Sequence, residues 1–199
     1  MASIEQRLRA YYDEEMAQRA ERPLGAERES RLAAFVQHCH EAGLTSVVEI
    51  GCGAGRDGKV LAASGLAYRG LDLSTAAVEL CRGLGLDAVV GSATELPYDT
   101  DEFDAGWSMS TLMHLPGDGL AVALSELRRV IRPGGVLEVG LWGADESCEW
   151  TDPDGRYFRS RNDEELRRLL SAVGRVTEFD TWSRFEDGGH YQWARTVVE

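Results

Sequence analysis

Val47-Val48-Glu49-Ile50-Gly51-Cys52-Gly53-Ala54-Gly55-Arg56-Asp57-Gly58 is the stretch that decides how this chain folds. Three β-branched residues around one acid suit a buried strand. Glycines follow at alternate positions, Gly51, Gly53 and Gly55. Such a turn bends sharply and lets a ligand lie against bare main chain. A helix is the natural continuation at Arg56-Asp57, and its free N–H groups would face whatever lies over the glycines. The stretch predicts a nucleotide-like ligand at a strand–glycine–helix turn. The turn alone does not say which nucleotide.

Working outward, strand and helix alternate. Upstream, Leu32, Phe35, Val36 and Cys39 mark the buried face of a helix over Ala26–Ala42, ended by Gly43. His38, Cys39 and His40 are neighbours in sequence but leave a helix in different directions, so they cannot close on one metal ion. Before them, Ser3 and Gln6 form a capping-box pair. Ile4, Leu8, Tyr11, Tyr12 and Met16 then share a stripe on a helix over Ser3–Ala20, broken at Pro23-Leu24-Gly25. Tyr11 and Tyr12 either dock this helix or help close a pocket as part of a lid.

Downstream, a short helix over Asp57–Ala63 leads to a strand, Tyr68–Asp72, that ends in an acid. Ser74 caps a helix through Arg82. Leu86–Val90 and Phe103–Met109 read as strands. Leu120, Leu124, Leu127 and Ile131 define a long helix closed by Arg132-Pro133-Gly134-Gly135, and Val136–Trp142 is a fifth strand. The alternation implies a parallel sheet with helices on both faces. Asn162 with Glu165 caps a last helix carrying Leu166, Leu169, Leu170 and Val173. Val176–Phe185 and His190–Val198 are strand-like, and Glu186-Asp187-Gly188-Gly189 between them signals a hairpin turn.

The 199 residues suit a single domain, and a net charge of −13 repels phosphate backbones and anionic lipid. That argues against nucleic acid or a membrane surface as the main partner. No apolar run approaches membrane-spanning length. The four scattered cysteines form no Cys-x-x-Cys pair and read as reduced thiols of a cytoplasmic protein.

A dinucleotide fingerprint would need glycine where Arg56 stands. Instead the pattern is Gly-x-Gly-x-Gly, with Glu49 two residues upstream. Together with Gly70–Ser74, Ala93–Asp104 and Arg132–Val139, this resembles the class I S-adenosylmethionine-dependent methyltransferases. The likeness is greatest to the small single-domain, type 11-like group acting on small molecules, and it covers Leu44 to Val198. The resemblance implies an α/β, Rossmann-like seven-stranded sheet, mostly parallel, with a C-terminal antiparallel hairpin strand and helices on both faces. Residues 1–25 would be a helix or lid, 44–142 the cofactor-binding core, and 143–199 the substrate-side segment and terminal hairpin.

By the same resemblance, Glu49 and the Gly51-Cys52-Gly53 backbone would hold the methionine part of the cofactor. Asp72 would take the ribose hydroxyls and Leu73 would pack on adenine. Ala93 would offer its N–H to the adenine ring. Ser92 stands where an aspartate is frequent, which passes the amine contact to Thr94 or weakens it. Ser108 and Met109 would lie under the sulfonium, and S-adenosylhomocysteine would be the product. No Asn/Asp-Pro-Pro-aromatic run follows the fourth strand and no acids cluster there, so neither nucleic-acid amino methylation nor a metal is expected.

A sulfonium methyl is already electrophilic, so the protein must mainly align a nucleophile and exclude water. A general base helps a hydroxyl acceptor, and His114 is the best candidate; otherwise it is a loop histidine bonded to backbone. Arg156, Tyr157 and Arg159, in Gly155–Arg161, would recognise an anionic group on the acceptor, or form a solvated charge run before a helix. His190 and Tyr191 would add an aromatic wall, or simply pack in a strand. The expected protein is a monomeric or homodimeric small-molecule O-methyltransferase. Its rivals are a non-catalytic cofactor-binding protein and a nucleotide-dependent oxidoreductase.

Overall fold

The computed structural model describes residues 2–183 and 190–199. Two helices, α1 (Ile4–Ala20) and α2 (Ala26–Glu41), precede β1 (Ser46–Ile50). Then come α3 (Arg56–Ala63), β2 (Ala67–Asp72), α4 (Thr75–Gly83), β3 (Ala88–Val90) and β4 (Phe103–Met109). The chain continues through α5 (Gly119–Val130), β5 (Ile131–Gly143), β6 (Cys148–Thr151) and β7 (Tyr157–Ser160). It ends with α6 (Asp163–Leu170), β8 (Gly174–Ser183) and β9 (His190–Val198).

Seven strands form one sheet in the order β3-β2-β1-β4-β5-β9-β8. β1 to β5 pair in parallel, whereas β9 runs antiparallel to β5 and β8 antiparallel to β9. Strand order reverses between β1 and β4, and open sheets of this kind bind ligands beyond the strand ends at such a point. Successive residues of β1 point to opposite faces. Val47 joins Leu32, Phe35 and Trp107 under α2, while Val48 joins Leu124, Leu127 and Leu137 under α5. Helices therefore cover both faces, as the alternating pattern requires.

Four boundaries differ from the sequence expectation, each for a local reason. Val173, expected on the last helix, lies in the turn after α6, where its N–H bonds the Leu170 carbonyl. Leu86 belongs to the end of α4 rather than to β3. Its N–H bonds the Cys81 carbonyl and that of Gly85 (φ +79°) bonds Arg82, closing a Schellman turn. Ile131 lies outside α5: it pairs with Phe103, and the register slips before Ala105 pairs with Val136. Gly134, at φ +83°, supplies the bend in that irregular stretch. The Gly155–Arg161 segment contains an antiparallel strand, β7, which pairs with β6 outside the main sheet. Its turn is organised by Asp152, which accepts the N–H groups of Asp154 and Arg156. The expected hairpin turn at 186–189 lies outside the described residues. Among those described, no helix is long and apolar enough to cross a membrane. Cys39 is fully buried, and His40 bonds the Ser64 carbonyl at 3.0 Å.

Two buried indoles are each tied to a buried acid. Trp107 donates to Asp57 at 2.7 Å and Trp193 donates to Glu138 at 3.0 Å. Burial moves the Glu138 carboxyl from an ordinary 4.5 to about 7, outweighing Arg195 at 2.7 Å. An acid raised in this way holds its proton more tightly in the native state. Between those two values the folded chain carries more protons, so this group's contribution to stability falls as pH rises. The loss is on the order of 1–3 kcal/mol across the window. Glu138→Gln keeps an acceptor for Trp193 but cannot ionise. Urea midpoints at about pH 5 and pH 8 should therefore lie closer together in Glu138→Gln than in the parent, followed by tryptophan fluorescence.

Candidate active site

The turn after β1 hangs from the tip of β2. The N–H groups of Gly51 and Cys52 share the Leu71 carbonyl at 2.7 and 3.1 Å. Gly53 N–H donates to Asp72 Oδ2 at 2.8 Å, and Ser74 N–H donates to Oδ1 at 2.9 Å. Gly51 and Gly53 have φ of +80° and +50°, a region that side chains avoid. A Cβ on Gly51 would stand 1.9 Å from Thr111 Oγ1, whereas one on Gly53 would meet nothing within 4 Å. The turn is thus packed from below at Gly51 and open at Gly53.

Gly51, Cys52, Gly53, Asp72, Leu73, Ser92, Ala93 and Met109 line a single cavity over this turn. Three other residues expected at the cofactor lie off its wall. Glu49 is 1% exposed and accepts the Tyr68 hydroxyl at 2.6 Å; burial holds its carboxyl well above the usual range. Ser108 donates to the Ile50 carbonyl at 2.9 Å. Thr94 pairs with Ser92 through hydroxyls 2.9 Å apart.

On the acceptor side, Tyr12 and His114 line the same cavity and touch each other. Tyr11 stands edge-on to Tyr12 at 5.2 Å, outside the wall. Arg156 lies 4.4 Å over the Tyr11 ring and is held by Asp152 at 2.6 Å. Arg159 donates to the Gly117 carbonyl at 2.9 Å and faces Glu165 at 3.4 Å. Tyr157 sends its hydroxyl to Glu149 and its carbonyl to His114. His190 faces Asp163, and the Tyr191 hydroxyl lies 3.0 Å from Ser110 Oγ. The substrate-side segment therefore backs the cavity residues: the Tyr157 carbonyl and the Phe158 ring contact His114, and Arg156, paired with Asp152, also bonds Tyr12.

Sequence reasoning passed over the arginines that do reach the cavity. Arg28 clasps Asp57 through Nε and Nη2 at 2.9 and 2.7 Å, and the Asp57 carboxylate is shut off from solvent. Arg19 lies 4.9 Å over the Tyr12 ring, and its Nε is buried with no hydrogen-bond partner among the described residues. On helices rich in charge, neither arginine carries a sequence mark that separates it from a solvated side chain.

The partners of His114 fix its tautomer. Nδ1 is 2.7 Å from the Tyr157 carbonyl, which can only accept, so Nδ1 carries the hydrogen. Nε2 then accepts the Tyr12 hydroxyl at 2.8 Å. Burial lowers the His114 pKa to about 4, so the imidazole is neutral at physiological pH.

A reversing parallel sheet, a glycine turn after its central strand and a carboxylate at the next strand's tip mark the nucleotide-binding α/β sheets. Among such proteins the likeness is to the class I S-adenosylmethionine-dependent methyltransferases. Residues 48–139 match the family model described as a methyltransferase domain. A tRNA (carboxymethyluridine(34)-5-O)-methyltransferase of Arabidopsis thaliana is 28% identical over 64% of this chain and 32% of its own length. Phthiotriol/phenolphthiotriol dimycocerosates methyltransferase 1 of Mycobacterium ulcerans is 33% identical over 60% of this chain and 46% of its own. The chain thus spans 32% and 46% of these two curated relatives' lengths. In fold it is similar to the Burkholderia thailandensis 1,6-didemethyltoxoflavin-N1-methyltransferase, crystallised with S-adenosylhomocysteine. That likeness has a TM-score of 0.80 at 19% identity and covers 100% of this chain and 91% of the other.

The residues present fit the cofactor of this class. Gly53 leaves open space where a ligand can lie on main chain, Asp72 reaches the cavity wall, and Arg19 Nε awaits an acceptor. Gly51→Ala drives a methyl into Thr111 at a positive φ and should lower stability by about 2–4 kcal/mol in urea. Gly53→Ala has room and should cost about 1 kcal/mol. Its methyl enters the cavity, so its larger effect should be weaker S-adenosylhomocysteine binding in calorimetry.

Proposed function

We propose that this chain moves the methyl group of S-adenosylmethionine onto the hydroxyl oxygen of a small molecule. One observation carries the reading. A neutral imidazole, His114, opens onto the cavity that also contains Asp72 and the glycine turn, with its Nε2 lone pair directed at another hydroxyl. That is the protonation state and orientation a base for an O–H group needs.

In this reading Asp72 takes the ribose hydroxyls, and Leu73 and Ala93 border the adenine. The Gly51–Gly53 backbone lies along the methionine part. Arg19 and Arg28 face its carboxylate, which gives the unpartnered Arg19 Nε an acceptor. The bound cofactor supplies an electrophilic methyl. The chain's own work is to orient the acceptor, exclude water and receive a proton. Leu8, Met16, Leu112 and Leu115 give the acceptor end an apolar wall, which suits a small organic acceptor. The net charge of −13 weighs against a polyanion. Oxygen is also the target named for the Arabidopsis relative, although its substrate is a tRNA. Residues 1–25, carrying α1, serve as a lid over this cavity.

Labelled S-adenosylmethionine, offered with catechol, 4-nitrophenol, 1-decanol, decanoate, aniline and bulk tRNA, tests the reading. Label should enter one of the three hydroxyl compounds. Transfer confined to decanoate, aniline or tRNA would rule it out. With the hydroxyl acceptor, His114→Gln should lower kcat about 10²-fold while leaving S-adenosylhomocysteine affinity intact. Asp72→Asn should do the reverse, weakening that affinity by roughly tenfold through loss of charge-assisted hydrogen bonding.

A further inference from the structure

Both ring nitrogens of His114 are already engaged. Nδ1–H is given to the Tyr157 carbonyl at 2.7 Å, and the Nε2 lone pair is covered by the Tyr12 hydroxyl at 2.8 Å. The base therefore presents no free lone pair to an incoming acceptor. What it presents is Tyr12 Oη, on a residue that lines the same cavity; Arg156 also bonds this side chain, and a second lone pair on the oxygen remains for the acceptor. The two rings are braced in this arrangement. The Phe158 ring lies 4.6 Å from His114 and the Tyr11 ring 5.2 Å from Tyr12.

Tyr12 belongs to α1, and α1 is seated chiefly by polar ties to the cofactor-binding edge. Arg9 donates to the Leu73 carbonyl at 2.9 Å. Asp13 accepts the Ser74 hydroxyl at 2.6 Å and the Ala76 N–H at 3.1 Å. Glu5 accepts the Ser92 hydroxyl at 2.7 Å. Only Leu8 and Met16 of this helix are buried. The ties run to Leu73, to the start of α4 and to Ser92 after β3, so they seat the helix over the loops at this edge of the sheet. With α1 seated, the pair Tyr12–His114 is complete; with α1 lifted, His114 Nε2 loses its partner.

Building on the oxygen-transfer reading above, we propose that Tyr12 is the catalytic residue that touches the acceptor, relaying its proton to His114. The acceptor hydroxyl donates to Tyr12 Oη while Tyr12 Oη–H donates to His114 Nε2. As the acceptor oxygen bonds the methyl carbon, the methyl–sulfur bond breaks and leaves its electron pair on sulfur. The acceptor proton moves to Tyr12 Oη, the Tyr12 proton moves to Nε2, and the imidazole becomes imidazolium. Tyr12 ends as it began, a neutral phenol. The reacting groups carry one positive charge before the step, on sulfur, and one after it, on His114. The buried ring thus gains its charge as the sulfonium loses it, which offsets the penalty that keeps His114 neutral at rest. Imidazolium then gives its proton to solvent once α1 lifts.

Tyr12→Phe, His114→Gln and the double variant of the full chain test the relay. The acceptor is whichever of catechol, 4-nitrophenol or 1-decanol is methylated. At saturating cofactor, each single variant should lose about 10²-fold in kcat, with S-adenosylhomocysteine affinity by calorimetry unchanged. The double variant should be no slower than the singles, because the two groups act as one unit. Tyr12→Phe that keeps kcat but binds the product poorly would make Tyr12 a latch and overturn the relay. A double variant slowed by the product of the single effects would also overturn it. If none of the three hydroxyl compounds is methylated while decanoate or aniline is, the oxygen-transfer reading itself fails. Nitrogen-15 spectra of His114 with S-adenosylhomocysteine bound provide an arm that needs no acceptor. They should show Nδ1 protonated and an Nε2 resonance that moves in Tyr12→Phe; an Nε2-protonated ring would overturn the proposal.

Discussion

The tip of β2 carries the turn on which everything else at the site depends. Three consecutive N–H groups leave β1 and find acceptors there: Gly51 and Cys52 at the Leu71 carbonyl, Gly53 at the Asp72 carboxylate. A buried turn must satisfy its donors, and here the neighbouring strand does so. The same carboxylate accepts Ser74 N–H, at the N-cap of α4. One acid therefore fixes the height of the turn, the start of α4 and the floor of the cavity. Burial raises its pKa, and the backbone donors from Ser74 and Gly53 pull the other way.

Around that floor the protein places its charges with care for their partners. Asp57, shut off from solvent at the start of α3, receives Arg28 and the Trp107 indole. Removing either partner of such a buried pair leaves a stranded charge, which is far costlier than losing a surface ion pair. Arg19, Arg28 and Arg56 all line the cavity of this acidic chain, and of the three Arg28 is the one clasped to Asp57. Arg156 and Arg159 do something different: Arg156 pairs with Asp152 in the turn before β7, and Arg159, on β7, pairs with Glu165 of α6.

The roof of the cavity is of another kind from its floor. Only Leu8 and Met16 of α1 are buried, and its seat is a set of side-chain hydrogen bonds to the loop after β2, the start of α4 and the loop after β3. Hydrogen bonds of this sort contribute modestly and can be exchanged for water. The sheet below, by contrast, is closed by two large apolar clusters. A rigid floor under a loosely tied roof suits a site that must admit a cofactor and then shut out water.

Much of the fold was legible in the chain itself, because its signals are local. A strand–glycine–helix turn, an acid at Asp72, caps at Ser3, Ser74 and Asn162 and a final antiparallel pair each depend on a few neighbouring residues. The same holds for the cofactor wall from Gly51 to Met109, with Glu49, Thr94 and Ser108 as exceptions. Those three lie one strand position or one loop residue away from the wall, and only packing decides which side chain faces in. Other features had no local signal. β6 and β7 are too short to show a period, and Arg19, Arg28 and Asp57 look like ordinary surface charges in sequence. The hydrogen bond between Tyr12 and His114 joins residues 102 positions apart. Sequence by itself determined the class of fold and the glycine turn and acid that floor the cavity, since backbone conformation is set by near neighbours. Tertiary structure decided which charges meet in the cavity and what His114 touches, since those contacts exist only once distant helices are packed on one sheet.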